Sequence, residues 1–106
     1  MMFRKLYWVT ERVDRTGEGR VLGVYTSIPN LIRHGLECEI DLRHLRLTLT
    51  KLDCGDGPIA SWFGPTFACL ERDLAQFVET DEFTSDQSKS LVDAIQAKRN
   101  LAASVR

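Results

Sequence analysis

Long hydrophobic runs are missing from this chain of 106 residues. Its longest stretch without a charged side chain, 57–70, spans 14 residues and carries Pro58 and Pro65. A helix that crosses a bilayer needs about 20 apolar residues, so no membrane partner is expected. The opening residues Met1-Met2-Phe3-Arg4-Lys5-Leu6-Tyr7-Trp8 also lack the apolar core of a secretory signal, because charge returns at Glu11 and Arg12. Cysteine is scarce. Cys38, Cys54 and Cys69 cannot all pair within one chain, and their spacings of sixteen and fifteen match no disulfide framework. Free thiols in a reducing cytoplasm are the expectation.

Charge of one sign is lacking too. Lys and Arg number 14 against 15 Asp and Glu, a net charge of −1, so the chain as a whole exerts no long-range pull on nucleic acid or on an anionic membrane. The halves differ: residues 1–52 hold nine cations against six anions, and 53–106 hold five against nine, which is +3 against −4. The N-terminal half is mildly basic and the C-terminal half acidic.

Recognisable chemical motifs are equally thin. His34, Cys38 and His44 form the densest cluster of metal-ligand types. A zinc site needs paired ligands on tight turns, and no second pair follows, so no metal or other cofactor is expected. Cys54 is flanked by Asp53 and Asp56, whose carboxylates disfavour a thiolate nucleophile. Cys69 reads as a packed helical thiol. Gly17-Glu18-Gly19 is followed by a strand pattern, where a phosphate cradle requires a helix N-terminus. The calcium-loop spacing of acidic residues is absent around Asp53 and Asp56.

What the sequence does contain is the composition of a folded domain, 43% hydrophobic and 27% charged, at a length that suits one core over residues 1–106. Lys5 to Val13 and Arg20 to Thr26 are rich in β-branched and aromatic residues and flank a turn signal at 14–19, which predicts a β-hairpin. Ser27 and Pro29 open a short helix whose apolar face is Ile28, Leu31, Ile32 and Leu36, with Gly35 placed to end it. Leu45 to Thr50 alternates strictly, and after turn formers at 53–58 the segment Ile59 to Phe63 returns as a second hairpin. From Thr66 the period becomes helical, with Phe67, Leu70, Leu74, Phe77 and Val78 on one face, and 81–83 breaks it. Thr84 and Gln87 fit a capping box for a last helix over Ser85 to Ala103, with its stripe on Leu91, Val92, Ile95, Leu101 and Ala102. The expected fold is α+β in the order ββαββαα: a four-stranded antiparallel sheet built from two hairpins, with helices packed on it.

Tyr7-Trp8 and Trp62-Phe63 are adjacent aromatics inside strands, so each pair sends a ring to both faces of the sheet. Helices on one side alone would leave rings facing water, so either the last helix or another chain must cover the second face. The leading expectation is therefore a small non-enzymatic protein-interaction module, self-associating as a homodimer, with Tyr7, Trp8, Trp62 and Phe63 at the interface. An edge strand near Trp62 and the open sheet face are the two candidate contact surfaces. The alternative is a nucleic-acid-binding accessory protein whose contacts are Arg4, Lys5, Arg12, Arg15, Arg20, Arg46 and Lys51, with Tyr7, Trp8 and Tyr25 as stacking rings. A third is an enzyme subunit whose site forms between chains, with His34 or His44 as its acid or base.

Overall fold

The computed structural model describes residues 6–36, 42–51, 59–79 and 84–104, the side chains of a few of these excepted. The first hairpin comprises β1 (Leu6–Val13) and β2 (Gly19–Tyr25). Its turn closes with Gly17 at φ 85°, a conformation glycine adopts without a Cβ clash. The Asp14 carboxylate accepts hydrogen bonds from the Thr16 amide at 2.9 Å, the Thr16 hydroxyl at 2.6 Å and the Glu18 amide at 3.2 Å. Those bonds, the Thr16 hydroxyl foremost, hold Asp14 below the usual carboxylate range.

Ser27 caps the next helix, α1 (Ile28–Asn30), by accepting from the Asn30 amide at 3.3 Å. The chain continues as a π-helical turn over Leu31–Leu36. Gly35 therefore lies inside the turn and does not end the helix there. Its role is close approach: a Cβ at Gly35 would stand 2.9 Å from the Tyr25 ring, 3.1 Å from Leu31 and 3.3 Å from the Thr10 methyl. A 3-10 turn at Leu42–His44 leads into β3 (Leu45–Lys51), and β4 (Ala60–Phe63) completes the sheet. A second 3-10 segment, Gly64–Cys69, opens α2 (Leu70–Glu79), and α3 (Ser85–Ser104) follows. The expected capping box is present: the Thr84 amide donates to Gln87 Oε1 at 3.0 Å, and the Gln87 amide to Thr84 Oγ1 at 3.1 Å. The turns expected at 53–58 and 81–83 lie outside the described residues, as do the side chains of Leu101 and Ala102.

The four strands form one antiparallel sheet in the order β2-β1-β3-β4. Opposed residues in such a sheet share a face, and the register writes out both faces as rows. One face carries Tyr25-Trp8-Leu49-Ala60 and Gly23-Thr10-Leu47-Trp62. The other carries Val24-Val9-Thr48-Ser61 and Val21-Glu11-Arg46-Phe63, with Tyr7 opposite Thr50. Between Thr10 and Glu11 the register of β2 slips, so that Leu22 is an extra residue with no opposite number, a β-bulge.

The helices all serve the first face. Leu45, Leu47, Leu49, Trp8 and Trp62 form one buried cluster with Ile28, Leu31, Leu36, Phe67, Leu70, Leu74, Leu91 and Ile95. The ammonium of Lys98 on α3 donates to the Leu36 carbonyl at 3.2 Å, tying the last helix to the π turn. Leu74 has no exposed surface, and truncation there removes methyl groups that nothing can replace. Leu74→Ala is expected to destabilise by about 2–5 kcal/mol. Thermal and urea midpoints check this, and unchanged midpoints would show the core to be misplaced.

Candidate interaction surface

Alternation along β1 and β4 splits each aromatic pair between the faces, as the spacing requires. Trp8 is 2% and Trp62 1% exposed, both on the helix-covered side. Neither ring can meet a partner, so of the four residues expected at an interface only Tyr7 and Phe63 lie on the open face, both half-buried. The reason is volume: an indole stranded in water forfeits its large apolar area, and both indoles find that area covered under the helices.

The two indoles meet each other. β1 and β4 flank β3 on either side, about 9.6 Å apart at two interstrand spacings. The rings lean across β3 until their centroids are 6.1 Å apart and their planes 25° apart. The Trp62 indole N–H then donates to Asp73 Oδ2 on α2 at 3.0 Å. This satisfies the one polar atom of the buried ring with a charge-assisted bond and fixes α2 against the sheet.

Among the described residues no helix covers the opposite face, and only Val13, at its turn end, is buried there, at 4% exposed. None of its side chains belongs to the core cluster or packs against it. The last helix, the candidate to fold over this side, packs instead on α1, the π turn and α2. At the β2 end, Val21 is 59% and Val24 56% exposed, and Val9 opposite Val24 extends the apolar strip inward. At the β4 end is Phe63. Between them Arg46 lies 3.9 Å from Glu11 and places its guanidinium 5.9 Å from the centroid of the Phe63 ring. A polar pair, the Thr48 and Ser61 hydroxyls at 3.4 Å, sits in the next row. The face is thus apolar at both ends, with one matched pair of opposite charges across its middle.

Among the described residues, those expected to contact nucleic acid lie in two places. Arg12 and Arg20 face each other across the hairpin, exposed, with Arg15 exposed at the adjoining turn. Arg46 lies on the open face, engaged with Glu11 and Phe63. Arg4 and Lys5 and the side chain of Lys51 lie outside the described part. Of the stacking rings, Trp8 is buried and Tyr25 packs against the core; Tyr7 remains. His34 and His44 are both exposed, on the π turn and just before β3. Neither lines the groove between α2 and α3 or the one between α1 and α3. Cys69 is a free, half-buried thiol, and Cys38 and Cys54 lie outside the described residues. Among the described residues no three His, Cys, Asp or Glu side chains come together as metal ligands.

Val21 and Val24 are outside the residues expected at an interface. A signal was there: in Arg20-Val21-Leu22-Gly23-Val24-Tyr25 the apolar residues do not alternate, and a half-buried central strand would alternate. The pattern fits an edge strand carrying a bulge, exposed from Gly19 to Leu22.

Trp62→Phe keeps an aromatic in the core but deletes the donor to Asp73. The expected loss is about 1.5–3 kcal/mol, the range for a hydrogen bond to a charged group, read from urea unfolding. An unchanged midpoint would show that this bond does not hold α2 to the sheet.

No family model, no curated protein and no solved structure matches the chain.

Proposed function

We propose that the chain is a small non-enzymatic interaction module that associates with a second copy of itself through its open sheet face. The observation that supports this most directly is the pair of exposed valines, Val21 at 59% and Val24 at 56%, on a sheet face that no described helix covers. Apolar residues clustered on one face of ordered structure mark contact surfaces more often than do singly scattered ones. Burying them would regain the transfer free energy that the monomer forgoes.

The face is favoured over the edges. β4 is an edge strand of only four residues, and short edge strands pair poorly with a neighbour. β2 is longer but carries the bulge at Leu22, which twists an edge away from straight pairing. Trp62, once expected near the contact, points into the core, which leaves β4 no large side chain except Phe63 on the open side.

A nucleic-acid reading keeps one favourable observation: Arg12, Arg15 and Arg20 are exposed at one end of the first hairpin, and none makes an ion pair among the described residues. Three cations make few phosphate contacts, so binding is expected to be weak and steeply salt-dependent. Titration of labelled single strands at low and near-physiological salt measures this. Tight binding at the higher salt, abolished in Arg12→Ala/Arg20→Ala, would put this reading first.

Sedimentation tests the self-association. The wild type is expected at twice its chain mass of 12.1 kDa, and Val21→Asp/Val24→Asp at the single-chain mass with the circular dichroism of the folded chain and a thermal midpoint lowered only by the loss of the subunit contact. A wild type that stays monomeric at every accessible concentration would overturn the proposal. A dimer indifferent to the double substitution would place the interface elsewhere.

A further inference from the structure

The open face fixes more than the fact of a contact, because its charges are arranged for only one of the ways in which two copies can stack. Resting on the self-association just proposed, we infer that Glu11 and Arg46 are the residues that set the register of a two-fold, sheet-on-sheet dimer, in which β2 of one copy lies over β4 of the other.

Symmetry limits the ways in which two copies can stack. Identical surfaces meeting face to face are related by a two-fold axis lying between the sheets, and sheets stacked in the aligned manner keep their strands within about 30° of parallel, whereas orthogonal stacking would set the rows across one another. For aligned sheets the axis therefore runs along the strands or across them. If it runs across the strands through the row Val21-Glu11-Arg46-Phe63, β1 lies over β1 of the partner and β3 over β3. Glu11 then faces the partner's Glu11 and Arg46 faces the partner's Arg46, like charges opposed in a surface losing water. If the crossing axis lies midway to the row Val24-Val9-Thr48-Ser61, each charge is pressed against Val9 or Thr48 with no counter-ion.

An axis along the strands, passing between β1 and β3, reverses the strand order and keeps the rows. β1 then lies over the partner's β3, so Glu11 faces the partner's Arg46 and Arg46 faces the partner's Glu11. In the same row Val21 faces the partner's Phe63, joining the exposed apolar end of the face to its aromatic end. The row follows from the observed register, in which Val21 opposes Glu11, Glu11 opposes Arg46 and Arg46 opposes Phe63. The existing ion pair at 3.9 Å and the guanidinium over Phe63 hold both charges in place before association. Each charge thus gains a second counter-ion, and misregistered stackings are rejected by repulsion or by an unpaired charge.

Charge reversal on each partner separately provides the test. Glu11→Arg gives a face with two cations and Arg46→Glu a face with two anions, so each variant alone is expected to sediment as a monomer. An equimolar mixture is expected to form a heterodimer over the same concentration range as the wild type, because all four facing positions are again opposite in sign. A mixture that stays monomeric beside a dimeric wild type overturns this register while leaving self-association through the face intact; a monomeric wild type overturns both. Circular dichroism verifies the fold of each variant. Should either reversed chain fail to fold, Glu11→Gln and Arg46→Gln replace them. Their homodimers lack any facing ion pair and their heterodimer restores one, so the mixture should associate more tightly than either alone, and equal association in all three overturns the register.

Discussion

The contact between Trp8 and Trp62 governs the arrangement of the whole molecule. Two indoles on strands that do not touch can meet only by leaning over the strand between them, and that strand, β3, supplies Leu47 and Leu49 as the floor beneath. A stacked pair this large has to be roofed. The roof is made by α2 and α3, whose Leu74, Leu91 and Ile95 complete the cluster. Asp73 secures it, since the buried indole N–H would otherwise lack a partner. Once both tryptophans and three alternating leucines occupy one face, the helices have no comparable surface to seek on the other.

The open face is thus a consequence of the core. Strand alternation sends Tyr7 and Phe63 away from the tryptophans beside them, and antiparallel sheets commonly leave one face in water. Most of this face suits that position, with threonines, a serine and an ion pair in its middle rows. The departure is greatest on the β2 side, where valines stand exposed on a strand that already has a free edge. The bulge at Leu22 and the four-residue length of β4 make both edges poor templates for strand addition. Association through the face remains the physically open route.

Much of the architecture was legible in the residues. Strict alternation from Leu45 to Thr50 placed the leucines of β3 inside, and the helical stripe through Leu70 and Leu74 marked the face of α2. The capping box at Thr84 and Gln87 located the start of α3. These signals are local, fixed by side-chain period and cap chemistry. What was not legible depends on strand order. That both tryptophans are buried on one face, which strand is an edge, and that α3 stays off the second face all follow from the β1–β3 pairing, between residues about 40 positions apart. Gly35 shows the same limit: its spacing suited a helix end, yet the need for a missing Cβ comes from Tyr25 and Thr10 across the interface. The broken alternation of residues 20–25 marked β2 as irregular, but that Val21 and Val24 meet water follows only from the strand order, which leaves β2 at the edge.

The central claim is that the face opposite the tryptophans is where this molecule makes its contacts, and backbone amide chemical shifts followed through a dilution series address it most directly. The account predicts that the amides of Val9, Val21, Val24 and Phe63 move together as concentration falls, while those of Leu74, Leu91 and Ser88 on the helical side stay fixed. Shifts confined to the groove between α2 and α3, or no concentration dependence anywhere on the sheet, would contradict it.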